Sequence, residues 1–283
     1  MTPEAATRAI SYNEQSMSAA EPAETVPLER ELLSVAGEAA QAAAAELMSR
    51  FGHSQAGIRS KSSPTDLVSD ADVSAERAIR TVLATRRPRD AILGEEGGAT
   101  GDGELRWVID PLDGTTNFLF GFPQFAVSVA CEDSGGGLVG VVLDPVRDEC
   151  FAATRSGAPL LNGAPIGSSR RRELGSALVA TGFSYDAAER ARQAEVVARV
   201  LPRVRDIRRA GAAALDLAWA ACARVDAFYE RGVKAWDVAA GSLVAQRAGM
   251  VVRRLPARDG EPSGILAAPP ALADELLALV LGA

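Results

Sequence analysis

The chain has 283 residues, which is enough for one large domain or two smaller lobes with a substantial core. Hydrophobic residues make up 47% of it, and its formal charge of −7 argues against a nucleic-acid-binding surface. No run of 18 apolar residues is present, which excludes a membrane-spanning helix. Three widely spaced cysteines and one histidine argue against a zinc site and a Ser-His-Asp triad, and indicate reduced thiols in a cytoplasmic protein.

The N-terminal half is predicted to combine helices with a mostly antiparallel sheet. Residues 1–27 are typical of a disordered tail and lack the features of a secretion signal. Leu, Val and Ala at helical spacing predict a helix over residues 28–50, and Ser69 or Asp70 is expected to cap a second helix. Strands are predicted at 91–94, at 105–110, at 125–131, and after a hairpin-like turn at 135–137.

Strands and helices alternate from about Leu174, and this alternation predicts an α/β second lobe. Helices are predicted at 187–201, 213–223, 236–249 and 270–281, and strands at 177–184 and 225–230. We therefore expect an α+β lobe over residues 28–172 and an α/β lobe over residues 173–283.

Acidic residues stand at the ends of these predicted elements. They are Glu95 and Glu96 after one strand, Asp110 and Asp113 after another, Asp237 at a helix start, and Asp66 and Asp72 beside the loop before the second helix. Acids at the ends of buried strands often converge, and such a cluster repels itself unless a cation fills it. An all-oxygen ligand set, with the carbonyl of Leu112 as a further donor, selects Mg²⁺, Mn²⁺ or Ca²⁺ over zinc.

Gly114, Thr115 and Thr116 resemble a helix start whose free N–H groups could bind a phosphate. Metal ions beside a phosphate pocket favour metal-assisted phosphoester hydrolysis. Each motif also has a purely structural interpretation, because Asp-Pro-x-Asp-Gly is typical of a tight turn and Trp-Asp is typical of a helix cap. Their joint occurrence, in order, favours the metal site.

From about residue 28 to the C-terminus, the sequence resembles the inositol monophosphatase family, within the lithium-sensitive, magnesium-dependent phosphatase superfamily. The matching motifs are KSSPTDLVSDAD (61–72), GEE (94–96), WVIDPLDGTTNF (107–118) and WDVAAGSLVAQRAG (236–249). The resemblance implies an α+β or α/β fold, a layered α-β-α-β-α sandwich of the sugar-phosphatase type. It also implies a homodimer whose activity depends on Mg²⁺ and is inhibited by lithium.

The same resemblance implies roles for the acids. Glu95, Asp110 and the Leu112 carbonyl would hold a first Mg²⁺; Asp110, Asp113 and Asp237 would hold a second; Glu95 would help to bind a weaker third. Mn²⁺ is a possible substitute. The implied catalytic residues are Glu95, Thr115 and Asp110, of which Glu95 and Thr115 would orient and deprotonate the attacking water.

Substrate contacts are implied as well. They would be the phosphate-binding N–H groups of Gly114 and Thr115, the residues Gly211, Ala212, Ala213 and Glu230 at the ring hydroxyls, and the neighbouring Glu95, Leu112, Asp113 and Asp237. Lys61, Asp66 and Asp72 would belong to a mobile loop whose closure helps to place a metal ion. Ala212 departs from the Ser or Thr that is frequent there, and Lys234 stands at a variable rim position. For Glu230, a surface acid at the end of a strand remains an equal alternative.

A small phosphorylated polyol is the expected substrate, with myo-inositol 1-phosphate first and no nucleic acid or membrane partner. Histidinol phosphate, fructose 1,6-bisphosphate and 3′-phosphoadenosine 5′-phosphate remain alternatives. A haloacid-dehalogenase-type phosphatase is disfavoured, because the two aspartates of its motif are two residues apart, whereas Asp110 and Asp113 are three residues apart. A non-catalytic regulatory protein with the same fold is the third alternative.

Overall fold

The computed structural model describes residues 27–53, 58–60, 67–258 and 260–282. The predicted tail up to residue 26 and the loop residues Lys61 and Asp66 lie outside them. The helices are α1 (Pro27–Met48), α2 (Asp70–Arg86), α3 (Thr115–Leu119), α4 (Ala187–Val200), α5 (Ala213–Ala221), α6 (Ala235–Arg247) and α7 (Pro270–Leu281). No helix in these ranges is both long enough and apolar enough to cross a bilayer.

The strands form two large sheets and one small two-stranded ladder. They are β1 (Arg59–Ser60), β2 (Leu67–Val68), β3 (Ala91–Gly94), β4 (Gly98–Thr100), β5 (Arg106–Asp113), β6 (Ala126–Asp133), β7 (Gly136–Asp144), β8 (Glu149–Thr154), β9 (Leu160–Leu161), β10 (Ala164–Pro165), β11 (Leu178–Thr181), β12 (Asp206–Arg208), β13 (Ala227–Arg231), β14 (Val251–Leu255) and β15 (Gly264–Ala268). The local patterns therefore predicted most elements to within a few residues.

The first sheet has eight strands in the order β10-β9-β8-β7-β6-β5-β3-β4. Its neighbours are antiparallel except for β3 and β5, which run parallel with Gly94 opposite Ile109. The mostly antiparallel sheet expected from the sequence is confirmed. The parallel pair matters for the site, because two parallel strands end at the same edge of a sheet. Glu95, which follows β3, is therefore carried to the edge where β5 ends.

The end of β5 corrects one expectation. Asp110 and Asp113 do not follow the strand in a simple turn; both lie within β5, paired with Ser128 and Ala126 across an irregularity in the ladder. Pro111 has no N–H to donate, so it fits at the interruption of the ladder. The irregularity lets the strand resume at Asp113 and keeps both acids at the sheet edge.

The second sheet has five strands in the order β12-β11-β13-β15-β14, with β11 parallel to both of its neighbours. Helices α1 and α2 cover the outer face of the first sheet, α5 and α6 lie between the sheets, and α4 and α7 cover the outer face of the second. The predicted layered α-β-α-β-α sandwich is confirmed.

Three buried hydrophobic cores lie between the layers. Successive side chains along a strand point alternately into the cores on its two faces. In β5, Trp107 and Ile109 face α1 and α2, whereas Val108 between them faces the middle layer. In β13, Phe228 points to the middle layer and Tyr229 points to α4 and α7. The middle core joins both halves of the chain, and the lobe boundary at residue 172 stays a prediction.

Candidate active site

The acidic residues of three distant segments meet where β3 and β5 end. Asp110 lies in β5 opposite Ser128 of β6, and the Ser128 hydroxyl donates to the carbonyl of Trp236 at 3.1 Å. That bond ties the start of α6 to the sheet and places Asp237, in the first turn of α6, beside the end of β5. Glu95 reaches the same edge from β3.

The charges of these acids act on one another. Asp110 is 2% exposed, and burial raises the pKa of its carboxyl well above the usual value, with further increases from Glu95, Asp113 and Asp237. Burial likewise raises the pKa of Asp237, and the charges of Asp113 and Glu95 raise it further. We call Glu95, Asp110, Asp113 and Asp237 the acid cluster, because these four side chains lie close enough for their negative charges to act on one another.

Backbone N–H groups hold three of these carboxylates. Asp110 Oδ1 accepts from the N–H of Leu112 at 3.0 Å, and Asp237 Oδ2 accepts from that of Lys234 at 2.6 Å. Asp113 accepts from the first turn of α5, with Ala213 N at 3.2 Å and Ala214 N at 2.7 Å. Burial raises the pKa of Asp113 to about 7, although these hydrogen bonds lower it.

The acid cluster has the donor chemistry of a hard divalent cation. Its donors are all oxygen, and a cation would relieve the repulsion that raises their pKa values. In this conformation, however, no three His, Cys, Asp or Glu side chains of the described residues are arranged to hold a metal ion together. The carboxylates of Asp110, Asp113 and Asp237 instead accept hydrogen bonds from backbone N–H groups. The residues fit Mg²⁺ or Mn²⁺ by chemistry, and their assignment as ligands stays a prediction.

Thr115 opens α3 and is buried beside the acid cluster. Its hydroxyl lies 2.9 Å from Asp72 Oδ1 and 3.1 Å from the Leu112 carbonyl oxygen, so its single proton can go to either acceptor. Gly114 precedes it with a φ of +98°, and a Cβ there would lie 2.9 Å from the carbonyl oxygen of Gln124. This backbone conformation therefore favours glycine.

Asp72 supports the start of α3 from a neighbouring helix. It lies in the first turn of α2 and is 1% exposed, and its membership of a mobile loop stays a prediction. Its Oδ2 accepts the N–H of Ser69 at 2.8 Å and the Ser69 hydroxyl at 2.6 Å, which completes a capping box. Because the cap uses only Oδ2, Oδ1 can accept a hydrogen bond from the Thr115 hydroxyl. Asp72 therefore holds this site residue from the first turn of α2.

The predicted ring contacts lie next to this site. Gly211 has a φ of +89°, and Ala212 is the buried N-cap residue of α5, whose next two N–H groups hold Asp113. Asn117, which the sequence reasoning missed, donates from Nδ2 to the carbonyls of Gln124 at 2.7 Å and Ala210 at 2.9 Å. These bonds join α3 to the segment that leads into α5.

Glu230 is a pocket residue rather than a surface acid. Its carboxylate packs so closely on Gly182 that a Cβ there would collide with it. Burial raises the pKa of Glu230 to about 8; the charge of Arg209 lowers it, and that of Asp113 raises it. These neighbours place Glu230 near the acid cluster, and its contact with the substrate ring stays a prediction. Lys234, in contrast, is exposed.

Asp216 is a second residue that the sequence reasoning missed. It is 1% exposed in α5, and neither carboxylate oxygen has a hydrogen-bond partner within the described part of the chain. Burial raises its pKa well above the usual value, and the charges of Glu230 and Asp113 add to the increase. The one signal in the sequence was an aspartate inside the apolar run AALDLAWAA.

Comparisons with known proteins agree with this geometry. The model of the inositol monophosphatase family matches residues 28–281. The chain is 45% identical over 242 residues to inositol-1-monophosphatase SuhB of Mycobacterium tuberculosis, covering 82% of this chain and 83% of that protein. It is 46% identical over 185 residues to Nus factor SuhB of Xylella fastidiosa, covering 65% and 67% of the two chains.

Solved structures show the same fold. The extragenic suppressor protein suhB of Bartonella henselae superposes with a TM-score of 0.82 at 35% identity, covering 88% of this chain and 98% of that chain. Inositol monophosphatase from Anabaena gives a TM-score of 0.78 at 35% identity, with coverages of 89% and 96%. Given the acid cluster, the layered fold and a family match over nearly all the described residues, this chain belongs to the inositol monophosphatase family.

Proposed function

We propose that the protein is a Mg²⁺-dependent phosphomonoesterase that hydrolyses myo-inositol 1-phosphate to myo-inositol and phosphate. The acid cluster is the observation that carries this proposal, because neighbouring negative charges, with Asp110 and Asp113 buried, suit a multivalent cation. The family and the inositol-1-monophosphatases among the relatives support a phosphatase.

In the proposed site, Glu95, Asp110 and the Leu112 carbonyl would hold one Mg²⁺, and Asp110, Asp113 and Asp237 a second. Glu95 would also contribute to a weaker third. A bound divalent cation lowers the pKa of water and polarises the phosphate oxygens. The separate ligand positions on β5 and α6 support this division.

The proposed proton path uses Thr115. When its hydroxyl donates to Asp72, its oxygen can accept a hydrogen bond from the attacking water, and Glu95, at the same sheet edge, would accept the proton that the water loses. The resulting hydroxide would attack phosphorus directly, the ester P–O bond would break, and the leaving alkoxide would take up the proton held by Glu95. The backbone N–H groups of Gly114 and Thr115 would bind the phosphate.

Pocket chemistry supports a neutral polyol. With a pKa of about 8, Glu230 is mostly protonated at neutral pH, and a carboxylic acid can both donate to and accept from neighbouring hydroxyl groups. Gly211, Ala212 and Ala213 would contact the ring through their backbone. Homodimer assembly and inhibition by lithium complete the proposal, as expected from the family.

A second candidate function is a regulatory one, favoured by the relatives that are named Nus factor SuhB. A regulatory function would depend on a partner protein rather than on the acid cluster, and both functions can occur in one protein. Partner binding that does not need the acid cluster would distinguish the regulatory function.

The test is phosphate release from a panel of esters with Mg²⁺, with Mn²⁺ and with a chelator. The panel contains myo-inositol 1-phosphate, histidinol phosphate, fructose 1,6-bisphosphate and 3′-phosphoadenosine 5′-phosphate. We expect the first to have the highest kcat/KM, and activity to vanish with the chelator. Another preferred ester would overturn the substrate assignment, whereas inactivity toward all four would favour the regulatory candidate.

A further inference from the structure

Helix α2 presents three polar side chains to the site at intervals of four residues: Asp72, Glu76 and Arg80. Residues at this spacing lie on one face of a helix. Asp72 accepts the Thr115 hydroxyl, as described above. Glu76 and Arg80 contact the turn between β3 and β4, which contains Glu95, and neither was predicted from the sequence.

Glu76 is the centre of this contact. Its side chain is 4% exposed, and its carboxylate accepts the N–H of Glu96 at 2.8 Å and that of Gly97 at 2.8 Å. Arg80 Nε lies 2.6 Å from Glu76 Oε1. We call this pair the Glu76–Arg80 clamp. Because the arginine neutralises the glutamate, the clamp offers two strong acceptors without adding net charge beside the acid cluster.

Arg80 forms hydrogen bonds with the far side of the same turn. Its Nη2 donates to the carbonyl of Gly98 at 2.8 Å, and its Nη1 donates to Thr100 Oγ1 at 3.0 Å. The segment that follows Glu95 is therefore hydrogen-bonded to α2 through the backbone of Glu96, Gly97 and Gly98 and through the side chain of Thr100.

The glycines on either side of Glu95 and Glu96 fit against the clamp. A Cβ on Gly94 would lie 2.7 Å from Glu76 Oε1, and a Cβ on Gly97 would lie 2.5 Å from the same atom and 2.8 Å from Arg80 Nη2. Gly97 does not have a positive φ. A side chain at position 97 would therefore displace the ends of Glu76 and Arg80, so the clamp, and not the backbone conformation, favours glycine there.

We propose that the Glu76–Arg80 clamp is a positioning device that fixes the Glu95 carboxylate relative to Thr115. Both groups are held by one helix, since Asp72 lies about one turn from Glu76 and about two turns from Arg80 on α2. The inference rests on the proposed function, in which Glu95 and Thr115 act on the same water. It assigns to Glu76 and Arg80 an effect on turnover and on metal affinity that they exert through Glu95.

The test compares three variants with the wild type. Glu76→Gln removes the charge and one acceptor oxygen at nearly constant shape, and Gly97→Ala pushes on the clamp from the other side. Glu29→Gln is the matched control: Glu29 is also buried on a helix, and its carboxylate accepts the N–H of Ser156 at 3.1 Å and its hydroxyl at 2.6 Å, away from the acid cluster.

The measurements are kcat and KM for the best ester of the panel, Mn²⁺ affinity by electron paramagnetic resonance, and thermal unfolding. For Glu76→Gln and Gly97→Ala we expect kcat and Mn²⁺ affinity to fall by roughly 10–100-fold, the usual effect of losing a group that orients a metal ligand. KM should change by less than about threefold, because ring contacts are untouched. Glu29→Gln should lower only the unfolding temperature.

Wild-type kcat and Mn²⁺ affinity in folded Glu76→Gln and Gly97→Ala would overturn the inference, as would equal losses in the Glu29→Gln control. If the wild type hydrolyses none of the esters, the proposed function fails. The Mn²⁺ affinities of the variants and the control then still show whether the clamp positions Glu95. If Glu76→Gln does not fold, Gly97→Ala carries the comparison, because it leaves both members of the clamp in place.

Discussion

Asp113→Asn should stabilise the metal-free protein at pH 8 and abolish its activity. The pKa of Asp113 is about 7 in the folded protein, compared with 3.8 for an unperturbed aspartate. Between those values the folded state keeps a proton that the unfolded state has released. Stability therefore falls as the pH rises from about 4 to 7, and the full loss remains above pH 7.

The size of the stability change follows from the shift in the pKa of Asp113. A rise of about three pK units corresponds to about 4 kcal/mol of destabilisation at pH 8. Asparagine removes that penalty but can accept only one of the N–H groups of Ala213 and Ala214, and leaving the other unpaired costs about 1–3 kcal/mol. We expect a net gain of about 1–3 kcal/mol at pH 8, and a net loss of about 1–3 kcal/mol at pH 4, where only the cost of the unpaired N–H remains.

Urea denaturation of both proteins in the presence of EDTA, at pH 4 and at pH 8, measures this difference. Added Mg²⁺ should stabilise the wild type more than the variant, because in the proposed site it binds the native acid cluster through Asp113. A variant that is less stable than the wild type at pH 8 would refute the reasoning, and so would an equal gain at both pH values.

Three further predictions concern single side chains. Asp110→Asn should fold normally and lose at least about 100-fold in kcat, since it removes a shared ligand at constant shape; phosphate release near the wild-type rate would reassign the site. Thr115→Val should lower kcat by about 100-fold or more with little change in KM, because it removes the hydroxyl that contacts Asp72; steady-state kinetics with an unchanged kcat would exclude a role in proton transfer. Gly37→Ala should raise the free energy of unfolding by about 1 kcal/mol, because a Cβ in this helical position meets nothing within 4 Å; the absence of a gain in urea denaturation would contradict that packing.

Local patterns in the sequence predicted the parts of the fold that depend on neighbouring residues. The strand at 105–110 and the cap at Ser69 are of this kind, and both agree with the structure. The irregularity in β5 was missed, because it depends on pairing with β6 some 15 residues later. An Asp-Pro-x-Asp-Gly run is equally compatible with a turn until that partner strand is known.

The site was predictable where motifs carry it and unpredictable where distant elements meet. Glu95, Asp110 and Asp237 were predicted from the motifs, and the structure brings them together; their role as metal ligands stays a prediction. Glu76 and Arg80 were missed, because an acid and a base four residues apart on a helix usually form an ordinary surface pair. Only the parallel pairing of β3 with β5 places the Glu95 turn against α2, and that long-range contact has no local signature.

The central claim is that acids from β3, β5 and α6 surround divalent cations. Anomalous diffraction from crystals grown with Mn²⁺ tests it most directly. We expect a manganese peak within about 2.5 Å of an Asp110 carboxylate oxygen, the range for oxygen ligands of hard divalent cations, with Glu95 or Asp237 as a second ligand. Manganese bound only elsewhere, with Asp110 still accepting the N–H of Leu112 alone, would contradict the account.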